Sequence, residues 1–189
     1  IEEIEYIAQH ISCAMLVDEA YAEFYGKSAI PLLEKYTHIM VARTFSKAYA
    51  LAGCRVGYML AHKDVIQMIA KTYMPYHMNV LSIIAADTVF QMRDEFDLQI
   101  HMICAERIRM QKKYMNLPML TVYPSNTNFL LLHCSKAKEL NNLLNEHGVS
   151  VRYFKHTPYL ENKLRISIGC PNENDDVYRL IRSFVEGNI

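Results

Sequence analysis

The sequence predicts an α/β protein: part of a mostly parallel sheet flanked by helices, followed by a smaller α+β domain. Three observations carry this. Apolar runs at residues 13–17 and 38–42 end in polar clusters, as buried parallel strands do. Stretches of helical periodicity alternate with them. After Leu117-Pro118 the pattern changes to short strands and amphipathic helices, so the chain reads as units 1–93 and 94–189.

Taken in order, residues 1–11 read as a helix with Ile1, Ile4, Ile7 or Ala8, and Ile11 on one face. The run Cys-Ala-Met-Leu-Val at 13–17 ends in Asp18, and His-Ile-Met-Val-Ala at 38–42 ends in Arg43-Thr44. Residues 55–61 form a third strand. Helices are expected at about 63–73, 80–92 and 94–116, the last two separate or bent near Arg93-Asp94. Strands near 119–123 and 128–133 lead to a helix at about 136–147, closed by Gly148 as a left-handed cap. Strands near 149–153 and 164–168 precede a last helix at about 173–186, with Asn172, Glu173 and Asn174 at its start. A chain that begins inside a helix feeding a strand lacks the strand that α/β order puts before it, so a piece of a longer protein is expected.

Composition narrows the function. Twenty basic residues balance twenty acidic ones, with no excess suited to nucleic acid or an anionic membrane. No apolar run approaches a membrane span. Ile1-Glu2-Glu3-Ile4 lacks the basic start and apolar core of a signal peptide, so a cytoplasmic location is expected. The five cysteines (Cys13, Cys54, Cys104, Cys134, Cys170) form no CxxC pair and are read as reduced and mostly buried. The eight histidines show no zinc-binding spacing, so no metal site is expected. Neither a GxGxxG fingerprint nor a P-loop is present.

Ligands of α/β sheets bind beyond the carboxyl ends of strands. The clusters found there are Asp18-Glu19-Ala20-Tyr21, Thr44-Phe45-Ser46-Lys47 and Gly53-Cys54-Arg55. Two hydroxyls and an arginine suit a phosphate dianion, because a guanidinium offers paired charged donors. A lysine beside that phosphate is placed to meet a second group on the same ligand. A buried Asp18 carboxylate needs a cationic partner, which a protonated pyridine nitrogen would supply. Read alone, Asp18 equally suits the cap of a helix starting near Glu19, and Lys47 a solvated surface lysine. Glu19 receives no chemical role.

The run Asp18-Glu19-Ala20-Tyr21, followed by Thr44-Phe45-Ser46-Lys47-Ala48-Tyr49-Ala50-Leu51-Ala52-Gly53-Cys54-Arg55-Val56-Gly57-Tyr58, resembles the fold-type-I pyridoxal-phosphate (PLP) dependent aminotransferases. Within them it is most similar to the histidinol-phosphate aminotransferases. The likeness continues through Pro75-Tyr76, Asn79, Asn126-Thr127-Asn128-Phe129, Gly148-Val149, Val151-Arg152 and Leu164-Arg165-Ile166-Ser167-Ile168-Gly169. His77 stands where histidinol-phosphate enzymes often carry Asn.

The resemblance implies the C-terminal part of a PLP-binding large domain at 1–93 and a small domain at 94–189. It implies that Lys47 forms a Schiff base with PLP and shuttles a proton, and that it must be neutral to do so. Asp18 pairs with the pyridine nitrogen, and Tyr21 hydrogen-bonds the phenolic oxygen. Thr44, Ser46 and Arg55 hold the phosphate. Arg165 clamps the substrate α-carboxylate and Arg152 meets a substrate phosphate. On pattern alone, Arg165 also suits a structural ion pair and Arg152 a surface position. Asn128 belongs to a family motif without an assigned role.

The implied reaction exchanges an amino group between a small-molecule donor, histidinol phosphate first, and 2-oxoglutarate in a homodimer. Aromatic transamination, threonine-phosphate decarboxylation and an inactive fragment are the rival expectations. The implied site also uses parts upstream of Ile1, so weak PLP binding by these 189 residues alone is expected.

Overall fold

The computed structural model describes residues 1–74 and 76–187, and Pro75 of the motif above lies outside the described residues. The chain divides into two units, Ile1–Ile100 and His101–Ile189.

In the first unit, β1 (Met15–Asp18), β2 (Ile39–Thr44) and β3 (Gly57–Ala61) form a sheet in that order among the described residues. In this part of the domain the strand directions are mixed. β1 and β2 are parallel, with Asp18 beside Ala42. β2 and β3 are antiparallel, with Thr44 beside Gly57. The physical reason is the connection. Residues 19–38 between β1 and β2 include α2 (Ala22–Tyr25) and a 3-10 turn at Ile30–Glu34, enough chain for a crossover. The segment between β2 and β3 holds only a 3-10 turn at Ala52–Cys54 and folds straight back.

One face of this sheet is covered. Ala8 of α1 (Glu2–His10) joins Ala29, Leu32, Ile39 and Val41 in a buried cluster, with Ile4, Met15, Val17 and Leu60 packed against it. Leu16, one residue out of phase, is 59% exposed, so burial on both faces does not hold for β1 in this chain.

α3 (Lys63–Ala70) ends three residues sooner than its pattern suggested. α4 (Val80–Gln91) starts at Asn79, whose side chain accepts the Ser82 N–H. α5 (Arg93–Met115) follows a break at Met92.

The second unit holds an antiparallel sheet of β4 (Leu120–Val122), β5 (Phe129–Cys134), β6 (Arg152–Tyr153) and β7 (Lys163–Ser167), in the order β4-β5-β7-β6. Strict alternation along β5 buries Leu130, Leu132 and Cys134 completely. They meet Met110 and Tyr114 of α5, Leu140 and Leu144 of α6 (Ala137–Glu146), and Ile181 and Val185 of α7 (Pro171–Val185). Gly148 takes φ +75° after α6, the left-handed position anticipated for it. α7 begins two residues before its expected start. Pro171 occupies the first turn, and the Glu173 side chain accepts the Cys170 N–H in a capping box.

The cysteines are all free, but of the five only Cys134 is buried; Cys13 and Cys170 are exposed, which corrects the expectation of mostly buried thiols. No helix of the described residues is long and apolar enough to cross a membrane.

Candidate functional site

The strand ends of the first unit assemble most of the expected residues. Lys47 lies three positions beyond the last residue of β2, in a loop pinned by apolar side chains on both sides of it. Phe45 and Ala48 are buried. Phe45 and Val56 pack with Ala86 of α4, and the Phe45 ring lies 5.2 Å from Tyr49 and 5.8 Å from Tyr58. Backbone bonds close the loop: Phe45 N–H donates to Val56 O at 3.1 Å and Leu51 N–H to Phe45 O at 3.0 Å. A loop held at Phe45 and Ala48 leaves Ser46 and Lys47 facing outward. Lys47 Nζ stands 5.6 Å from the centre of the Tyr21 ring, so the lysine and tyrosine clusters do converge.

The hydroxyl pair is equally local. Thr44 Oγ1 donates within 2.9 Å of Ser46 Oγ and lies 3.2 Å from Val56 O, while Ser46 N–H donates back to Thr44 Oγ1 at 3.0 Å. Ser46 keeps its own hydroxyl hydrogen for a further acceptor. Arg55 precedes the Val56 carbonyl that receives these bonds, and its Nη1 donates to Ala52 O at 3.0 Å. Two non-glycine residues of this loop, Ala50 at φ 54° and Arg55 at φ 57°, adopt the left-handed region that L side chains rarely occupy. Strain of this kind collects where a loop must hold one geometry. Gly57 answers a different need: a Cβ there would lie 2.9 Å from Arg43 O, so β3 approaches β2 too closely for any side chain.

Asp18 is exposed rather than buried, and its Oδ1 accepts the Ala20 N–H at 3.0 Å. The helix nearby begins at Ala22, so this bond turns the chain rather than capping that helix from the expected position. The buried carboxylate at this strand end is Glu19, which sequence reasoning passed over. Its oxygens accept from Ser28 Oγ, from Ala29 N–H at 2.5 Å, and from Arg43 Nε and Nη2 at 3.0 and 2.9 Å. Arg43 stands opposite Tyr58. Burial disfavours the guanidinium charge, but hydrogen bonds with Glu19 and Tyr58 outweigh it and hold the Arg43 pKa above its ordinary value. The signal was available in the alternation of strands: Asp18 and Glu19 must face opposite ways, as must Arg43 and Thr44.

In the second unit, Arg152 and Arg165 are direct cross-strand partners, so their side chains share one face of the sheet. Both are exposed. They line a cavity of about 420 Å³ together with Ser150, Ser167, Val149 and Val177. Arg165 Cζ lies 5.1 Å from the Phe129 ring centre and Arg152 Cζ 5.8 Å from that of Phe154, contacts that fix planar cations on edges of the cavity. Two like charges set opposite each other disfavour the empty pair and favour an anion between them. Neither arginine makes an ion pair with a carboxylate among the described residues, so the ion-pair alternative for Arg165 does not hold, while Arg152 is as exposed as a surface arginine.

Next to this sheet, Asn128 O accepts the Ile168 N–H at 2.9 Å. The loop before it is ordered by Ser125 and Thr127 hydroxyls around Phe129 O, and by Arg107, whose Nη1 donates to Thr127 O at 2.6 Å. Arg107 is 94% buried by its 6% exposure and was another residue missed by pattern alone.

The family model for aminotransferase class I and II matches residues 1–182. This chain belongs to that family. Among curated relatives, histidinol-phosphate aminotransferase 1 of Carboxydothermus hydrogenoformans is 45% identical over 161 residues, which cover 85% of this chain and 45% of the relative. The histidinol-phosphate aminotransferase of Chlorobaculum parvum is 35% identical over 183 residues, 96% of this chain and 52% of the relative. The chain thus spans about half the length of the curated relatives it matches. The crystal structure of histidinol-phosphate aminotransferase from Sinorhizobium meliloti in complex with pyridoxal-5'-phosphate superposes with a TM-score of 0.85 and 27% identity, over 100% of this chain and 53% of that one. L-threonine-O-3-phosphate decarboxylase from Porphyromonas gingivalis gives a TM-score of 0.86 at 25% identity, over 98% and 59%.

Proposed function

We propose that this chain is the cofactor-anchoring half of a PLP-dependent aminotransferase, with Lys47 as the lysine that holds the cofactor. In this reading residues 1–93 complete the PLP-binding domain and residues 94–189 are the small domain. The observation that carries it is the gathering, at the ends of three neighbouring strands, of a presented lysine, a hydroxyl pair, a strained arginine turn and an exposed carboxylate.

The donor set fits the group. Ser46 and Thr44 hydroxyls with the Arg55 guanidinium are what a phosphate dianion needs, and the fixed loop from Phe45 to Val56 keeps them there. Lys47 Nζ would hold the cofactor and move a proton to and from the substrate carbon. Tyr21, beside Lys47, would donate its hydroxyl to the ring oxygen. Asp18 would accept a proton-bearing ring nitrogen and keep it charged. Bound there, PLP supplies an electron sink for a carbanion next to nitrogen.

Arg165 would hold the substrate carboxylate in a bidentate grip, and Arg152, on the same face, a second anionic group. Histidinol phosphate has no carboxylate, so its phosphate would go to Arg152, and 2-oxoglutarate, as acceptor, would bring the carboxylate to Arg165; this is the substrate pair we favour, in histidine biosynthesis. A cytoplasmic homodimer is the assembly that goes with it. Half-reactions of PLP-loaded protein, extended to the relatives' length, with histidinol phosphate, phenylalanine and O-phosphothreonine test this. Cofactor amination by histidinol phosphate alone supports the reading; preference for phenylalanine, or CO₂ release from the threonine phosphate, overturns it. The last outcome is the second reading, which the threonine-phosphate decarboxylase fold match favours.

A further inference from the structure

The sheet face opposite the candidate site holds a polar network that no catalytic role explains. Glu19 receives every hydrogen bond its two oxygens can readily take, from Ser28, Ala29 and twice from Arg43, although it is 8% exposed. Asp18, one residue earlier, receives one bond, from the backbone two residues on. Glu19 N–H also donates to Ala42 O at 2.9 Å, extending the β1–β2 ladder past Asp18. Arg43 stands between Ala42 and Thr44, and opposite Tyr58 of β3. One buried ion pair therefore touches the ends of all three strands that carry Asp18, the Thr44–Lys47 loop and the Arg55–Gly57 return.

We propose that the Glu19–Arg43 ion pair is a positioning device: it locks the ends of β1 and β2 in one separation, so that Asp18 and Lys47 face a common ligand. The proposal rests on the cofactor reading for what that ligand is, but the mechanical link does not. Side chains alternate across strands, so Glu19 and Arg43 lie on one side while Asp18 and Thr44 lie on the other. The pair can thus set the geometry of the site without entering it. A bidentate guanidinium–carboxylate contact fixes direction as well as distance, which a lysine in place of Arg43 does not. Glu23 is the internal control. Its Oε1 lies 3.9 Å from Arg43 Nη1 without a hydrogen bond, so it shares the charge of the cluster but not the strand link.

The test compares Glu19→Gln, Arg43→Met, Arg43→Lys and Glu23→Gln in the 189-residue chain. Circular dichroism first selects variants that remain folded, and Glu19→Gln, an isostere, is chosen to be one. Amide hydrogen exchange then reads the loop without any cofactor. Glu19→Gln and Arg43→Met are expected to speed exchange at Leu51 and Phe45 by about tenfold or more, with Arg43→Lys between them and the parent, and Glu23→Gln unchanged. Unchanged exchange in folded Glu19→Gln overturns the proposal, as does an equal effect of Glu23→Gln. The second readout, taken in the same variants of protein extended to the relatives' length, is the share of borohydride-trapped PLP found on Lys47, which should fall in parallel. If the extended parent shows no preference for Lys47, the cofactor reading fails while the exchange result still decides the positioning role.

Discussion

The two units solve the burial problem differently. The second closes a dry core of its own: Leu130, Leu132, Leu140, Leu144, Leu164 and Ile181 are all fully buried. The first buries a smaller set around Ile39 and Val41 and leaves Leu16, Val80, Leu81 and Ile84 between 56% and 78% exposed. Apolar side chains fill the second unit's centre, whereas in the first a polar network around Glu19 and Arg43 gathers at the strand ends. The larger buried cluster lies in one unit and the cofactor chemistry proposed above in the other.

Core truncation should break this comparison most sharply. Leu132→Ala is expected to destabilise the second unit by about 2–5 kcal/mol, because a fully enclosed side chain leaves a cavity. Leu16→Ala in the first should stay within about 0.5 kcal/mol, since that side chain packs on little. Chemical denaturation of both variants checks the contrast, and equal losses would erase it.

One carboxyl in each unit responds to acid with a sign opposite to the other's. In the second, hydrogen bonds from Arg109 and then Asn174 outweigh burial and hold the Glu106 carboxyl below its ordinary 4.5. Its folded pKa is depressed, so its contribution is complete above the unfolded value and is lost as pH falls through the folded one. In the first, burial pushes Glu23 above 4.5 against the pull of Arg43. A raised carboxyl pKa works the other way: stability is lost as pH rises from 4.5 through the folded value. Glu23→Gln should therefore remove a falling slope above pH 4.5, and Glu106→Gln a rising one below it, in denaturation midpoints followed between about pH 3 and 7.

Arg152 offers a smaller effect with a distinctive pattern. Replacing it with Ser removes a like charge opposite Arg165, so the free chain should gain a few tenths to about 1 kcal/mol. The same change should weaken binding of a phosphorylated amine, read by calorimetry. A variant that lost stability and kept affinity would show that the cavity between β6 and β7 is not an anion site.

Much of this was legible in the sequence because it depends on local periodicity. The strand ending at Asp18, the strand near 128–133 and Gly148 after α6 all appear where their patterns put them. What pattern could not give was pairing. The direction of β3 depends on a return loop whose apolar anchors, Phe45 and Val56, meet a helix some thirty residues later in the chain. Glu19 looked like a spectator beside Asp18 because its partner, Arg43, lies on another strand. Arg152 and Arg165 were singled out separately, and only the register of β6 with β7 makes them a pair.

The central claim is that Lys47 is the lysine that takes the cofactor. Incubating the protein, extended to the relatives' length, with PLP, trapping with borohydride and mapping the modified peptides measures it directly. Labelling concentrated on Lys47 at low PLP, and lost from that loop in Lys47→Arg with no other lysine taking its place, is the expected result. Labelling spread evenly over the surface lysines, or unchanged in total by Lys47→Arg, would contradict it.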